Sequence, residues 1–114
     1  LGLLCWSPLG RGVLTGKYRG GTPVNSRGAS KAFANFVARY ADEQSRRIVE
    51  AVAKAAEGLE MSPLEVALLW IRDRPGVTSA IVGARTAEQL RASLATEHKN
   101  LPPEIITALE DVSG

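Results

Sequence analysis

Residues 81–90, IVGARTAEQL, run from an apolar pair through a glycine and an arginine into the start of a helix, and their reading decides the fold. Ile81 and Val82 end a strand-like run. Gly83 tolerates backbone conformations that other residues avoid and lets another group approach closely. Thr86 precedes Gln89 by three residues, the capping-box spacing, which predicts a helix from Ala87. A helix start exposes unpaired N–H groups and the positive end of its dipole, and Arg85 stands beside it. That combination suits a phosphate. The plain alternative is an ordinary strand-to-helix connection with a surface arginine, and this decapeptide alone leaves both open.

Working outward, residues 77–82 read as a strand carrying Val77, Ile81 and Val82, followed by a helix over 87–95. Upstream, Ser62-Pro63-Leu64-Glu65 combines a Ser cap, Pro in the first turn and Glu at the third position, which predicts a helix start. Leu64, Ala67, Leu68 and Ile71 then form its apolar stripe, with Trp70 at the edge, and Arg74-Pro75-Gly76 ends it. Before that, Asp42 can cap a helix in which Ile48, Val52 and Ala56 recur at i+4 beside Val49 and Ala53, with Gly58 as its stop. Residues 30–40 suggest a short helix with Phe33, Phe36 and Val37 on one face. A last helix starts at Pro103 and carries Ile105, Ile106, Leu109 and Val112.

Residues 1–6, LGLLCW, read as a short buried strand. Ser7-Pro8-Leu9-Gly10-Arg11-Gly12 breaks it, and a loop rich in Gly and Pro continues to about residue 28. An irregular stretch of that length is more often functional than idle. The order is strand, long loop, two or three helices, strand, helix, helix. That β/α alternation implies parallel strands covered by helices, an α/β class. Two strands do not make a stable sheet by themselves, so further strands are expected from upstream sequence or another chain. The chain opens inside an expected strand and not on Met, which reads as a cut.

The 114 residues suffice for one small domain with a real core but not for two. A formal net charge of +2 leaves no dense basic patch, and 5% aromatic content leaves few stacking surfaces, so nucleic-acid binding is not expected. Cys5 is the single cysteine, which excludes an internal disulfide and fits a reducing, cytoplasmic setting. In its apolar run it reads as a small buried hydrophobe, not a nucleophile. One cysteine and one histidine, His98, do not suit a zinc site of the usual kind, and no metal is expected. No apolar run approaches the roughly 20 residues of a membrane span, and no signal peptide is evident.

Two segments resemble one family. Residues 6–18, WSPLGRGVLTGKY, and residues 75–90, PGVTSAIVGARTAEQL, are similar to the aldo-keto reductases. The second is a fairly specific signature, the two occur in the right order, and the similarity covers nearly all of the chain. The Trp-Ser-Pro-Leu segment is shared with the group that includes potassium-channel β subunits and their bacterial homologues. The resemblance implies the C-terminal portion of a (β/α)8 barrel: strand 7, its long loop, helix 7, strand 8, helix 8 and the closing helix. Barrel enzymes work at the C-terminal ends of their strands, and phosphates commonly bind near the loops after strands 7 and 8.

The same resemblance implies NADP(H) as cofactor, held without a Rossmann domain. No G-x-G-x-x-G unit is present, in keeping with that. Trp6 matches the aromatic that stacks on the nicotinamide; read without the family it is equally a core Trp in an apolar strand. Ser7, Pro8, Leu9, Gly10 and Arg11 match the segment lining the pyrophosphate and ribose. Lys17 matches a basic residue of that loop, and Arg27 an arginine that folds over the cofactor; without the family both are solvated loop charges. Gly83, Arg85 and Gln89 match positions around the adenosine 2′-phosphate and adenine. Arg85 suits that task because its planar fork donates two parallel hydrogen bonds. Where the family often has Glu and then Asn, this chain has Ala92 and Ser93. Ser93 can still hydrogen-bond and Ala92 cannot, which implies a looser hold on adenine.

The family reaction is hydride transfer between NADPH and an aldehyde or ketone, with a Tyr donating the proton beside Lys, Asp and His. Those four residues belong to earlier strands, and none maps into this chain. Tyr18 and Tyr40 sit in a loop and beside a helix, and His98 follows helix 8, so no catalytic residue is assigned. The resemblance implies the cofactor-binding part of an NADP(H)-dependent reductase acting on a small carbonyl substrate. Two other readings are a non-catalytic NADP(H)-binding regulatory subunit and a structural fragment that assembles with another chain. Unpaired strand edges would favour self-association of the isolated chain.

Overall fold

A computed structural model describes residues 1–17, 19 and 42–114. The short helix expected over 30–40, Arg27, both tyrosines and the later part of the long loop lie outside the described residues. Helix α1, Glu43–Leu59, begins where the sequence placed it. The Asp42 carboxylate accepts the Ser45 N–H at 2.8 Å and the Ser45 hydroxyl at 3.0 Å, and these bonds hold its pKa below the usual carboxylate value.

Gly58 does not end this helix. It lies inside the last turn, which the half-buried Leu59 anchors against the core, and the turn closes two residues later. Glu60 takes the left-handed conformation at φ 56°, and the Met61 N–H reaches back to Ala56 O at 2.9 Å. The glycine therefore stands where alanine would serve better. A Cβ built on Gly58 meets no atom within 4 Å. Gly58→Ala is expected to raise stability by about 1 kcal/mol, read as a higher denaturant midpoint at unchanged slope. A lower midpoint would mean that the position is not ordinary helix.

Helix α2, Pro63–Arg72, follows a Ser62 cap whose hydroxyl accepts the Glu65 N–H at 3.2 Å. It packs against α1, against strand β2 (Ser79–Ala80) and against helix α3 (Ala87–Leu94). That central position changes which residues are deepest. Val66 and Leu69, outside the expected stripe, are fully buried, whereas Leu64 and Ile71 are half-buried. A helix covered on several sides has no single apolar stripe to read. Helix α4, Pro103–Ser113, packs on α1 through Leu109, with Ile105 and Ile106 beside it. Val52, Ala56, Val66, Leu69, Leu101 and Leu109 form the core.

Trp70 packs against that core, and its buried indole N–H has no hydrogen-bond partner among the described residues. The Arg74 guanidinium lies 4.6 Å from its ring centroid and pairs with Glu110.

Arg72, at the end of α2, ties down the segment after α3, which continues as a 3₁₀ turn over Ala95–His98. Its guanidinium donates to Thr96 O at 3.1 Å, Lys99 O at 3.0 Å and Asn100 Oδ1 at 3.3 Å. Asp73 holds the same guanidinium in two bonds of 2.7 and 2.8 Å, and the Arg72 contact lowers the Asp73 pKa. Lys99 pairs with Glu65 of α2. The far end of α3 is thus fastened to α2 by side chains, not by apolar packing: Leu90 and Leu94 are exposed.

The two strands are shorter than expected. β1 is Leu4–Cys5 and pairs in parallel with β2, Leu4 opposite Ser79 and Cys5 opposite Ala80. Further bonds extend the ladder at each end, including Thr78 N–H to Leu3 O and Ile81 N–H to Cys5 O, both 2.8 Å. Residues 1–6 do not form a buried strand. Among the described residues Leu1, Leu3, Leu4 and Trp6 are exposed and Cys5 is half-buried; successive side chains of an extended segment alternate between faces, so the exposure falls on both faces of β1.

Candidate functional site

Parallel pairing brings the C-terminal ends of β1 and β2 to the same side, so the loop after each strand meets the other there. Between them lies a groove of about 510 Å³. One wall is the loop after β1, the other residues 81–85 with the first two turns of α3.

The β1 loop is wound tightly. The Gly10 N–H donates to Ser7 O at 3.0 Å, the Gly12 N–H to Leu9 O at 3.1 Å and the Leu14 N–H to Leu9 O at 3.0 Å. The winding continues into a 3₁₀ turn, Val13–Thr15, that rests on α2. It requires left-handed backbone at Ser7 (φ 53°) and Arg11 (φ 59°), two residues without glycine's freedom. Such strain costs about 1–2 kcal/mol per residue and collects at functional loops. Gly10, at φ 58°, and Gly12, at φ 94°, take neighbouring left-handed positions where a side chain would add strain.

Of the twelve residues that the sequence suggests for cofactor contact, ten line this groove: Trp6, Ser7, Pro8, Leu9, Arg11, Lys17, Gly83, Arg85, Gln89 and Ser93. Gly10 does not; it forms the turn behind the wall. Arg27 lies outside the described residues. Trp6 is 72% exposed among the described residues and lines the groove. The Arg11 guanidinium sits over that ring at 5.3 Å from its centroid. Ser93 is buried at the groove wall, while Ala92 is exposed and does not line it.

Of the two roles the sequence suggests for Gly83, backbone freedom and close approach of another group, the structure does not use the first. Its φ is not positive, and an added Cβ would meet nothing within 4 Å. Its value here is open space in the groove, not backbone freedom.

Six lining residues were not singled out for a site: Gly12, Thr15, Leu64, Ile81, Val82 and Ala84. The strand-end residues stand in the decapeptide itself. Leu64 belongs to the first turn of α2 and reads as core, and only the long-range docking of the β1 loop brings it to the groove. Thr15 gives its hydroxyl proton to Gly12 O at 2.6 Å and so serves the loop's own turn.

The charge pattern is one-sided. Arg11, Lys17 and Arg85 are among the described lining residues, and no Asp or Glu is. Cationic side chains, the open N-terminus of α3 and an exposed indole make a surface for an elongated anion with a flat aromatic part. His98 lies away from it, exposed in the second 3₁₀ turn. Among the described residues no group of three or more His, Cys, Asp or Glu could hold a metal ion, and no helix is long and apolar enough to cross a membrane.

Comparison with known proteins gives this surface a family. The model of the aldo/keto reductase family matches residues 1–113. The chain belongs to the aldo/keto reductase family. It is 35% identical over 111 residues to protein tas of Escherichia coli, covering 96% of this chain and 31% of that protein. It is also 35% identical over 115 residues to a probable voltage-gated potassium channel subunit beta of Oryza sativa, covering 98% of this chain and 35% of that one. A similarly named protein of Arabidopsis thaliana is 35% identical over 95 residues, 82% of this chain and 29% of its own. The chain thus spans about a third of the length of the curated relatives it matches. Membership in the aldo/keto reductases implies a (β/α)8 barrel, and the described residues form an α/β unit with two parallel strands and four α-helices.

Proposed function

We propose that this chain is the NADP(H)-binding, C-terminal part of an aldo-keto reductase that transfers hydride between NADPH and an aldehyde or ketone. In this reading β1 and β2 are strands 7 and 8 of the barrel, α2 is helix 7, α3 is helix 8 and α4 closes the barrel. The observation that carries it is the groove: an exposed Trp6 ring and Arg85 beside a helix N-terminus line the same cleft, with no carboxylate among its described lining residues.

The donor set fits the cofactor. Trp6 offers a flat face for the nicotinamide, and the wound loop from Ser7 to Arg11 follows the pyrophosphate. Arg85 meets the 2′-phosphate, with Gln89 and Ser93 toward the adenosine. Lys17 adds positive charge, and Arg27 is proposed to close over the cofactor from the loop. Bound nicotinamide supplies the hydride; this chain binds and orients it, and the proton donor for the carbonyl comes from earlier barrel strands. The setting is proposed to be cytoplasmic.

The test is a titration of the full-length protein with NADPH and NADH, followed by turnover of a simple aldehyde. Tighter binding of NADPH with NADPH-dependent reduction supports the reading. Equal binding of both dinucleotides removes the 2′-phosphate site, and binding without turnover favours a regulatory role.

The exposed Leu3, Leu4, Ile81 and Val82 then mark where further barrel strands pack. Produced as an isolated segment, residues 1–114 are expected to self-associate through these edges. A well-folded monomer in sedimentation at high dilution would count against this.

A further inference from the structure

Side-chain hydrogen bonds shape the turn that carries Arg85. Residues 81–92 are all exposed, and Gly83 and Ala84 offer little side chain to anchor them. Two bonds close the turn. The Gln89 N–H donates to Thr86 Oγ1 at 3.1 Å, and the Arg85 N–H donates to Gln89 Oε1 at 2.8 Å.

The second bond departs from the usual capping box. There the residue at the third helical position returns its side chain to the N–H of the capping residue itself. Here Gln89 reaches one residue further, past Thr86, and fastens the backbone of Arg85. Its amide oxygen is therefore committed to the chain. A bond to the backbone N–H helps set where the Cα of Arg85 sits, and so which groove position its fork can reach.

We propose that Gln89 is a positioning residue for cofactor selectivity, acting through the Arg85 backbone on the hold that Arg85 has on the 2′-phosphate. This rests on the NADP(H) reading above. Loss of the acceptor frees the Arg85 backbone, so the preference for NADPH over NADH falls although neither charge nor donor count at the phosphate has changed.

The experiment is a double-mutant cycle in the full-length protein, with dissociation constants for NADPH and NADH from wild type, Gln89→Leu, Arg85→Ala and the double variant. Circular dichroism and the thermal midpoint report whether each variant is folded, and NADH binding reports any loss at the adenosine that both dinucleotides share. Gln89→Leu is expected to narrow the NADPH preference roughly three- to tenfold, the net effect of one hydrogen bond. In the Arg85→Ala background the same change is expected to narrow it no further, since two residues acting through one contact are not additive. A Gln89→Leu effect that persists undiminished in that background overturns the proposal in favour of direct ligand contact. An unchanged preference in Gln89→Leu overturns it outright while the NADP(H) reading stands. An unchanged preference in Arg85→Ala overturns that reading, and this inference with it.

Discussion

Replacing Arg85 by alanine in the full-length protein is expected to weaken NADPH binding on the order of 10- to 100-fold and to leave NADH binding within about twofold. A guanidinium that meets a phosphate in a two-pronged contact makes charge-assisted hydrogen bonds, which are about twice as strong as neutral ones. NADH presents no 2′-phosphate, so it has nothing to lose at that point. The position of Arg85 supports the asymmetry: it is exposed, directly before the α3 N-terminus, and lines the groove. Arg85→Lys is expected to recover part of the loss, because an ammonium keeps the charge but not the fork. The effect should shrink with added salt, as it must for an exposed ion contact. Isothermal titration with both dinucleotides at two ionic strengths checks all of this. Equal losses for NADPH and NADH would take Arg85 away from the 2′-phosphate.

Leu69→Ala is expected to destabilise the fold by about 3–5 kcal/mol, the upper part of the range for a buried leucine. Leu69 and Val66 are the largest fully buried side chains, each at 0% exposure. Leu69 lies on the one helix that packs against α1, α3 and β2 together, so the cavity left by its side chain would be bounded on several sides and could not collapse by moving one element. Against a total stability of roughly 5–15 kcal/mol for a whole domain, that loss shifts the midpoint far. Leu64→Ala is the control. Leu64 is half-buried at the groove floor in the same helix, and its truncation should cost clearly less. Thermal or denaturant unfolding of both variants decides it; equal losses would mean that burial depth does not rank the positions of α2.

The contrast between these two leucines marks what sequence alone can read. Caps are local, and Asp42, Ser62 and Thr86 each accept the N–H three residues on, as their spacing predicts. The start of α4 at Pro103 is equally local. The stop of α1 is not: a glycine two residues too early reads as the terminator, while Glu60 takes the left-handed turn under the pull of packing at Ala56 and Leu59. Apolar periodicity ranked Leu64 with the core because it assumes one buried face, and α2 has more than one.

The groove was legible in part. Arg85 beside a capped helix is a pattern within ten residues. That Trp6 faces it, and that Leu64 and Thr15 join it, depends on parallel pairing between segments about 75 residues apart, Leu4 with Ser79. No spacing rule encodes that. The family resemblance carried the assignment of the β1 loop, since the left-handed backbone at Ser7 and Arg11 has no signature in residue type.

The two tryptophans divide the molecule between them. Trp6 is open to solvent on the groove with the Arg11 guanidinium over its ring, whereas Trp70 packs against the core with its indole N–H shielded. An indole in water emits at longer wavelength than one in an apolar interior. The chain therefore contains two intrinsic optical reporters, one for occupancy of the groove and one for integrity of the helical core. Trp70→Phe leaves the groove reporter alone and Trp6→Phe leaves the core reporter alone, so the two events can be followed in two single-tryptophan variants without a label.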